Sequence, residues 1–395
     1  MDPKETRLMR SIDAMEEEII TLLSDLVKAE SVNPPGDTRD VAGILTGKFR
    51  EFGIDPEVVS VDDDKPNLIA AINPGHRPQL VFNSHIDTVP PGDLRQWKFD
   101  PFSATVEDGV MFGRGVADAK ASVAAMTMAA GAIANSGIEL TGTMLVNPVS
   151  DEEIGGSKGT EFLFDQRYLD PNFVVIGEQT NNQIAIVEKG VVWFTITTFG
   201  RTAHGSTPWD GVNAIEKMMT LLAAIREDVS SKLQTMSHPL TPPPSMNIGT
   251  IQGGIKINVV PDTCVVNIDR RILPEETPEE AHLQIAAVID KLQRIDPDFK
   301  AKIEVQNSGS PVNTAPDEFI VKVAQEVHAD LDLDPKLIGY KQASDGRFFS
   351  RNGIPTIIIG PSDPRVGHAP NEHLNVKDVI TTTKIYALIA IRSLT

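Results

Sequence analysis

The stretch Val149-Ser150-Asp151-Glu152-Glu153-Ile154-Gly155-Gly156 sets three carboxylates side by side at the end of the apolar run Gly142–Pro148, which reads as a buried strand. Acids in such a place repel one another and resist desolvation. Four other stretches end apolar runs, or follow them closely, with side chains able to bind a metal. They are Ser84-His85-Ile86-Asp87, Gly115–Lys120 with Asp118, Ile176-Gly177-Glu178, and Gly367–Glu372 with His368. In open α/β sheets, sites form beyond the carboxyl ends of the strands. Two like charges about 4 Å apart cost about 4 kcal/mol at an effective dielectric of about 20, and a divalent cation reverses the sign. Imidazole and carboxylate without thiolate suit zinc, with cobalt or manganese as substitutes, and two histidines among several acids can hold two ions. Asp87, two residues beyond His85 in an extended segment, is placed to orient the imidazole. The side chains of Glu152 and Glu153 diverge, so one can hold metal while its neighbour faces the water there.

The elements that must carry these residues follow from periodicity. Apolar residues at helical spacing from Ile12 to Val27 predict a first helix. Short apolar runs then alternate with helical stretches, with strands expected at Asn67–Ile72, Leu80–Asn83, Gly142–Val149, Phe173–Gly177 and Thr356–Gly360. That is an α/β pattern, and the continuous Val/Ile/Leu runs point to strands covered on both faces. From residue 190 to 308 the texture changes to strand-helix-strand-strand-helix-strand, a self-contained α+β layer of ferredoxin-like order. The α/β pattern resumes afterwards, so 190–308 reads as a domain inserted between 1–189 and 309–395. A chain of 395 residues suits two domains.

Composition narrows the function. Net charge is −19, from 36 basic and 55 acidic residues, with no dense Lys/Arg run, which argues against a nucleic-acid partner. Cys264 is the only cysteine, so an internal disulfide is excluded and a reducing compartment is expected. The small-residue run Ala121–Ala134 is interrupted by Ser122, Thr127 and Gly131 and is too short to span a bilayer. No signal-peptide core follows the charged start, so the expectation is a soluble cytoplasmic protein without a membrane partner.

The strings SHIDTVPPG (Ser84–Gly92), GRGVADAK (Gly113–Lys120), SDEEIGG (Ser150–Gly156), GEQT (Gly177–Thr180) and GHAPNE (Gly367–Glu372) together resemble the co-catalytic dizinc aminoacylase/carboxypeptidase superfamily. That group includes succinyl-diaminopimelate desuccinylase and acetylornithine deacetylase, and the similarity runs essentially end to end. The resemblance implies a mixed-sheet zinc-exopeptidase-like catalytic domain, an inserted lid and dimerisation domain, and two Zn2+ ions. It assigns His85 and Glu178 to one zinc and Glu153 and His368 to the other. Asp118 bridges them, Glu152 is the general base, and a cis peptide is expected at Asp118-Ala119. It implies hydrolysis of a small amide, removing an acyl group from an N-acyl amino acid. It further implies that His204 reaches the partner subunit's active site in a homodimer joined through the insert, and that Asn258 and Arg271 bind the substrate carboxylate. Ala343–Phe348 resembles a desuccinylase stretch, which adds Ser344 and Gly346 as substrate contacts, although Lys341-Gln342 replaces the usual Gly-Gly. Ala121 and Gln179 also depart from the family's common Gly and Pro.

Other readings compete with these. Glu152 and Glu153 can start a helix, and Asp118 can cap one. His204 can be an ordinary loop histidine, and Arg271 can pair with an acid across strands. Acetylornithine deacetylase-like and dipeptidase or carboxypeptidase activities stand near the desuccinylase reading. Gly155-Gly156-Ser157-Lys158-Gly159 matches a nucleophile elbow, and a serine hydrolase of Ser157, Asp345 and His368 would have the expected chain order. A metal-holding protein without catalysis is the third class, and the presence of Glu152 speaks against it.

Overall fold

The computed structural model describes residues 1–395, which divide into two compact units. The first comprises Met1–Ile186, Thr314–Tyr340 and Ser344–Thr395; the second comprises Val187–Asn313 with Lys341–Ala343.

The first unit is built on a mixed sheet. Gln79–His85 lies parallel between Thr143–Val149 and Phe173–Ile176, and Thr356–Ile358 runs parallel beyond the latter. Asn67–Ile72 closes the other side antiparallel to Thr143–Val149. Every residue of Thr143–Val149 is buried, as its unbroken apolar run requires. The parallel register decides where the polar strand ends fall. His85 pairs with Val149, and Asn83 pairs with Ile176. The strands therefore release His85, the turn carrying Glu152-Glu153, and Glu178 at one level of one sheet edge.

The helix Ala121–Ala134 is buried along almost its whole length. Its small residues admit close packing: a Cβ on Gly177, next to Glu178, would lie 2.6 Å from Ser122 Cβ. With the turn before it, Val116–Ala134 is the one helix long and apolar enough to cross a bilayer, and 94% of it is buried inside the protein. It is a core helix.

The C-terminal motif arrives by a route that the sequence pattern does not reveal. His373–Asn375 pairs with Val110–Phe112, which pairs with Thr105–Glu107, in a small separate sheet. That pairing lays residues 367–372 alongside Gly113–Asp118, and the Gly113 N–H donates to the Glu372 carbonyl at 3.0 Å.

The expected first helix is two, Pro3–Ala14 and Glu16–Lys28, broken at Met15. The apolar stripe runs through the break, which is why periodicity joins them. The acids Glu16, Glu17 and Glu18 stand in the first turn of the second helix, where its dipole favours them.

The second unit is a four-stranded antiparallel sheet in the order Ser245–Gly253, Thr263–Ile272, Gly190–Phe199, Lys300–Gly309. Helices Ala214–Ile225 and Pro278–Ile295 pack on it. The chain order is β-α-β-β-α-β, the ferredoxin-like arrangement. Alternating burial along Thr263–Ile272 turns Cys264, Val266 and Ile268 inward against Leu221 and Ile285. Asn213 caps the first helix through Oδ1, which accepts the Ile215 N–H at 2.9 Å and fixes where the helix begins.

Candidate metal centre

Five side chains predicted as ligands come together in the first unit. His85, Asp118 and Glu178 form one group of donors, and Asp118, Glu153 and His368 form a second, with ligand atoms inside each group within 4.8 Å of one another. Asp118 belongs to both. Its Oδ1 lies 3.0 Å from His85 Nε2 and its Oδ2 lies 3.1 Å from His368 Nε2. Glu178 Oε1 is 3.5 Å from His85 Nε2, and Glu153 Oε2 is 3.0 Å from His368 Nε2. The Asp118-Ala119 peptide is cis.

The electrostatics show what this cluster demands. Burial lowers the His85 pKa, but the hydrogen bond to Asp118 and the charges of Glu178 and Glu152 outweigh it and raise it well above the ordinary range. His368 is pushed up to about 10 by Asp118 and Glu153. Burial would raise Asp118, yet its bonds to the two imidazoles hold it far below the usual carboxylate range. Burial raises Glu178 and Glu152 well above theirs, and Glu153 to a lesser degree. Positive charge is therefore what the site requires, offered through imidazole nitrogens and carboxylate oxygens alone. That donor set fits a pair of divalent cations of the zinc, cobalt or manganese kind.

His85 faces the cluster with the correct nitrogen. Its Nδ1 lies 2.9 Å from the main-chain oxygen of Asp87, so the Nδ1–H is donated there. Nε2 is the nitrogen turned to the cluster, free to offer its lone pair once a cation displaces its proton. This corrects the expected role of Asp87: its carboxylate is 3.7 Å from Nδ1 and does not orient the ring. The Asp87 carboxylate instead accepts the N–H of Glu152 (3.2 Å), the N–H of Glu153 (3.3 Å) and the Asn33 amide (2.8 Å). It fixes the turn that carries both glutamates. Asp151 enters that turn with φ 76° and pairs with buried Lys65 at 3.2 Å.

Two positioning residues escape the sequence pattern. Glu372, fully buried, accepts the N–H of Ala117 (2.8 Å) and of Asp118 (3.0 Å) and pairs with Arg114 at 2.5 Å. It thus holds the bridging acid's backbone from the neighbouring C-terminal loop. The Tyr340 hydroxyl donates to Glu178 Oε2 at 3.2 Å. Glu372 and Arg114 both stand in motif strings, and a charge at each is the only signal the sequence offers. Tyr340 gives none.

Ser344 and Gly346, expected to touch substrate, are buried, and the Gly346 N–H donates to Ser344 Oγ at 3.2 Å. The serine-hydrolase triad is not assembled. Ser157 is exposed with Oγ 3.5 Å from Asp151, Asp345 Oδ2 accepts from Thr160, and His368 Nε2 faces Asp118 and Glu153. The remaining expected residues lie in the second unit. His204 is exposed on the loop that pairs with Val259, and the Gly205 N–H donates to the Asn258 carbonyl at 2.9 Å. Arg271 pairs with Asp269 on its own strand at 2.9 Å rather than with an acid across strands.

The sequence model of peptidase family M20/M25/M40 matches residues 81–392. The chain belongs to that family. Its M20 relatives include a succinyl-diaminopimelate desuccinylase of Alkalilimnicola ehrlichii, 29% identical over 93% of this chain and 97% of the relative. Another is an N-formyl-4-amino-5-aminomethyl-2-methylpyrimidine deformylase of Halalkalibacterium halodurans, 26% identical over 95% and 94%. Among solved structures, a tripeptidase from Staphylococcus aureus matches with a TM-score of 0.76 at 24% identity, covering 96% of this chain and 98% of that one. The mixed α/β fold is thus that of M20 structures, and the chain is a hydrolytic enzyme of a metal-dependent family.

Proposed function

We propose that this M20 chain hydrolyses a small linear amide, removing an acyl group from an N-acyl amino acid in the manner of a succinyl-diaminopimelate desuccinylase, with two Zn2+ ions as cofactors. One observation carries the reading: the two oxygens of Asp118 face two histidines, each with its own glutamate, while Glu152 stands against the cluster outside both donor groups. When bound, the cations supply a water that ionises near neutral pH and positive charge for a developing oxyanion.

The chain's own residues do the rest. His85 with Glu178, and His368 with Glu153, hold one position each, and Asp118 joins them. Glu152 accepts the proton of the attacking water at its carboxylate and gives it to the leaving nitrogen as the C–N bond breaks. The products are a carboxylate and an amine. Burial, the first cause, raises the Glu152 carboxyl above its ordinary range, which makes its carboxylate the stronger base for the water's proton. Asp87 and Glu372 hold the backbone on which these side chains stand.

His204, Asn258 and Arg271 are proposed to bind the substrate from the inserted domain, 190–308, acting as lid and homodimer contact. His204 Nδ1 accepts the Ser206 N–H at 3.2 Å, which leaves Nε2 to carry a proton and donate to an oxyanion. A cytoplasmic location agrees with the lone, buried Cys264.

The relatives' names differ in acyl group, and so the test is a screen of the zinc-loaded protein over N-succinyl, N-acetyl, N-formyl and dipeptide substrates. Turnover of N-succinyl amino acids is expected. Turnover of acetyl compounds or dipeptides, with succinyl compounds untouched, would replace the desuccinylase reading by a deacetylase or dipeptidase one.

A further inference from the structure

Glu178 divides its two oxygens. Oε1 faces His85 at 3.5 Å, and Oε2 meets the hydroxyl of Tyr340, at the end of the strand Leu337–Tyr340, at 3.2 Å. The same hydroxyl lies 3.1 Å from Oε1 of Gln179, the residue that stands where the family commonly has Pro. All three side chains are buried, with exposures of 3% for Glu178, 1% for Gln179 and 3% for Tyr340.

A single hydroxyl hydrogen serves one acceptor well, and the carboxylate is the stronger of the two. With Tyr340 donating to Glu178, Gln179 Oε1 and the phenol oxygen face each other as two acceptors, and Gln179 Nε2 is a buried donor without a partner. Turning the near-isosteric carboxamide end over resolves both conflicts. Nε2–H then donates to the phenol oxygen, the phenol O–H donates to Glu178 Oε2, and the group left under-satisfied is a carbonyl, which is tolerated better than an N–H.

We propose that Tyr340, steered by the Gln179 carboxamide, is a positioning residue that turns one chosen oxygen of Glu178 toward the His85 side of the metal centre. This rests on the reading that His85, Asp118 and Glu178 hold a divalent cation. A glutamate carboxylate rotates broadly about its last torsion, and a hydrogen bond fixed on Oε2 removes that freedom. Glu153, the matching ligand of the second group, is held differently: its Oε1 accepts the Val89 backbone N–H at 3.2 Å while Oε2 faces His368. A side-chain substitution at Tyr340 therefore acts on one metal position only.

The test is zinc titration of the metal-free full-length protein by calorimetry with a competing chelator, alongside urea unfolding of the metal-free forms. Wild type is expected to bind two zinc ions. Tyr340→Phe weakens one of the two steps by about 10-fold or more and leaves the other unchanged. Gln179→Leu weakens the same step less, and adds nothing in the Tyr340→Phe background. Two unchanged steps in Tyr340→Phe, or equal weakening of both, overturn the proposal while leaving the metal reading intact. A wild type that binds no zinc overturns both. If Tyr340→Phe does not fold, Gln179→Leu decides alone, and an unchanged step overturns the proposal.

Discussion

The carboxylate of Asp87 accepts the backbone N–H of Glu152 at 3.2 Å, and with its other oxygen the N–H of Glu153 at 3.3 Å. One buried acid thereby holds the main chain under both the proposed base, Glu152, and its neighbour Glu153. Asp87→Ala removes both acceptors and releases the turn, and kcat is expected to fall by about 10- to 100-fold. Asp87→Asn keeps one acceptor oxygen and should lose less. Steady-state kinetics on the zinc-loaded variants checks the order, and equal activity of Asp87→Ala and wild type would contradict it.

Glu152 lies outside both donor groups, so its loss should separate chemistry from metal binding. Glu152→Gln is expected to lower kcat by about 100- to 10,000-fold while bound zinc, measured by elemental analysis, stays at the wild-type value. Loss of metal together with activity would make Glu152 a ligand.

Chelation should abolish activity, and a serine-directed phosphonate should leave it intact. Ser157→Ala is expected to turn over as wild type does, since Ser157 touches Asp151 and no histidine. Removing metal should also lower the thermal midpoint, because cations that bind the native state and relieve carboxylate repulsion stabilise it by mass action. Differential scanning calorimetry with and without zinc reads this.

His204 acting in trans makes a complementation prediction. His204→Ala and Glu152→Gln homodimers are each inactive, but random reassortment gives half heterodimers with one intact site apiece. Mixing then restores about a quarter of wild-type activity. If His204 served its own subunit, every site in the mixture would lack a group and no recovery would occur.

Glu5 offers a pH test away from the metal centre. The hydrogen bond from Arg392, first among its influences, holds the Glu5 carboxyl below its ordinary value of 4.5. The native state then binds fewer protons than the unfolded chain. The pair's stabilisation is complete above about pH 4.5 and is lost as pH falls from there through the native value. Glu5→Gln should cost about 1 kcal/mol or less at pH 7, with the difference from wild type closing below pH 4. Urea unfolding across that range measures it.

Legibility in the sequence depends on how local each signal is. His85, Glu153 and Glu178 are readable because each ends or follows an apolar run, and parallel register brings such ends to one level. Asp118 and His368 stand out in their motif strings, but the small antiparallel sheet that brings their loops together does not. The ferredoxin-like order of the insert comes from alternating burial along single strands. Proximity in the chain assigns Asp87 to His85, but the main-chain oxygen holds the ring and the carboxylate serves residues far along the sequence. Arg114 with Glu372 and Tyr340 with Glu178 join positions far apart in the chain, and no spacing rule encodes such pairs. The break at Met15 escapes because an apolar stripe does not reveal where the backbone turns.

The bridging acid takes one imidazole from an early strand and another from a loop close to the end of the chain. A nascent polypeptide still lacking that final loop has half a centre: one donor group present, the second missing its imidazole. The second donor group therefore forms only when residues 367–372 are laid against residues 113–118, so completion of the centre reports long-range folding rather than the order of any local segment.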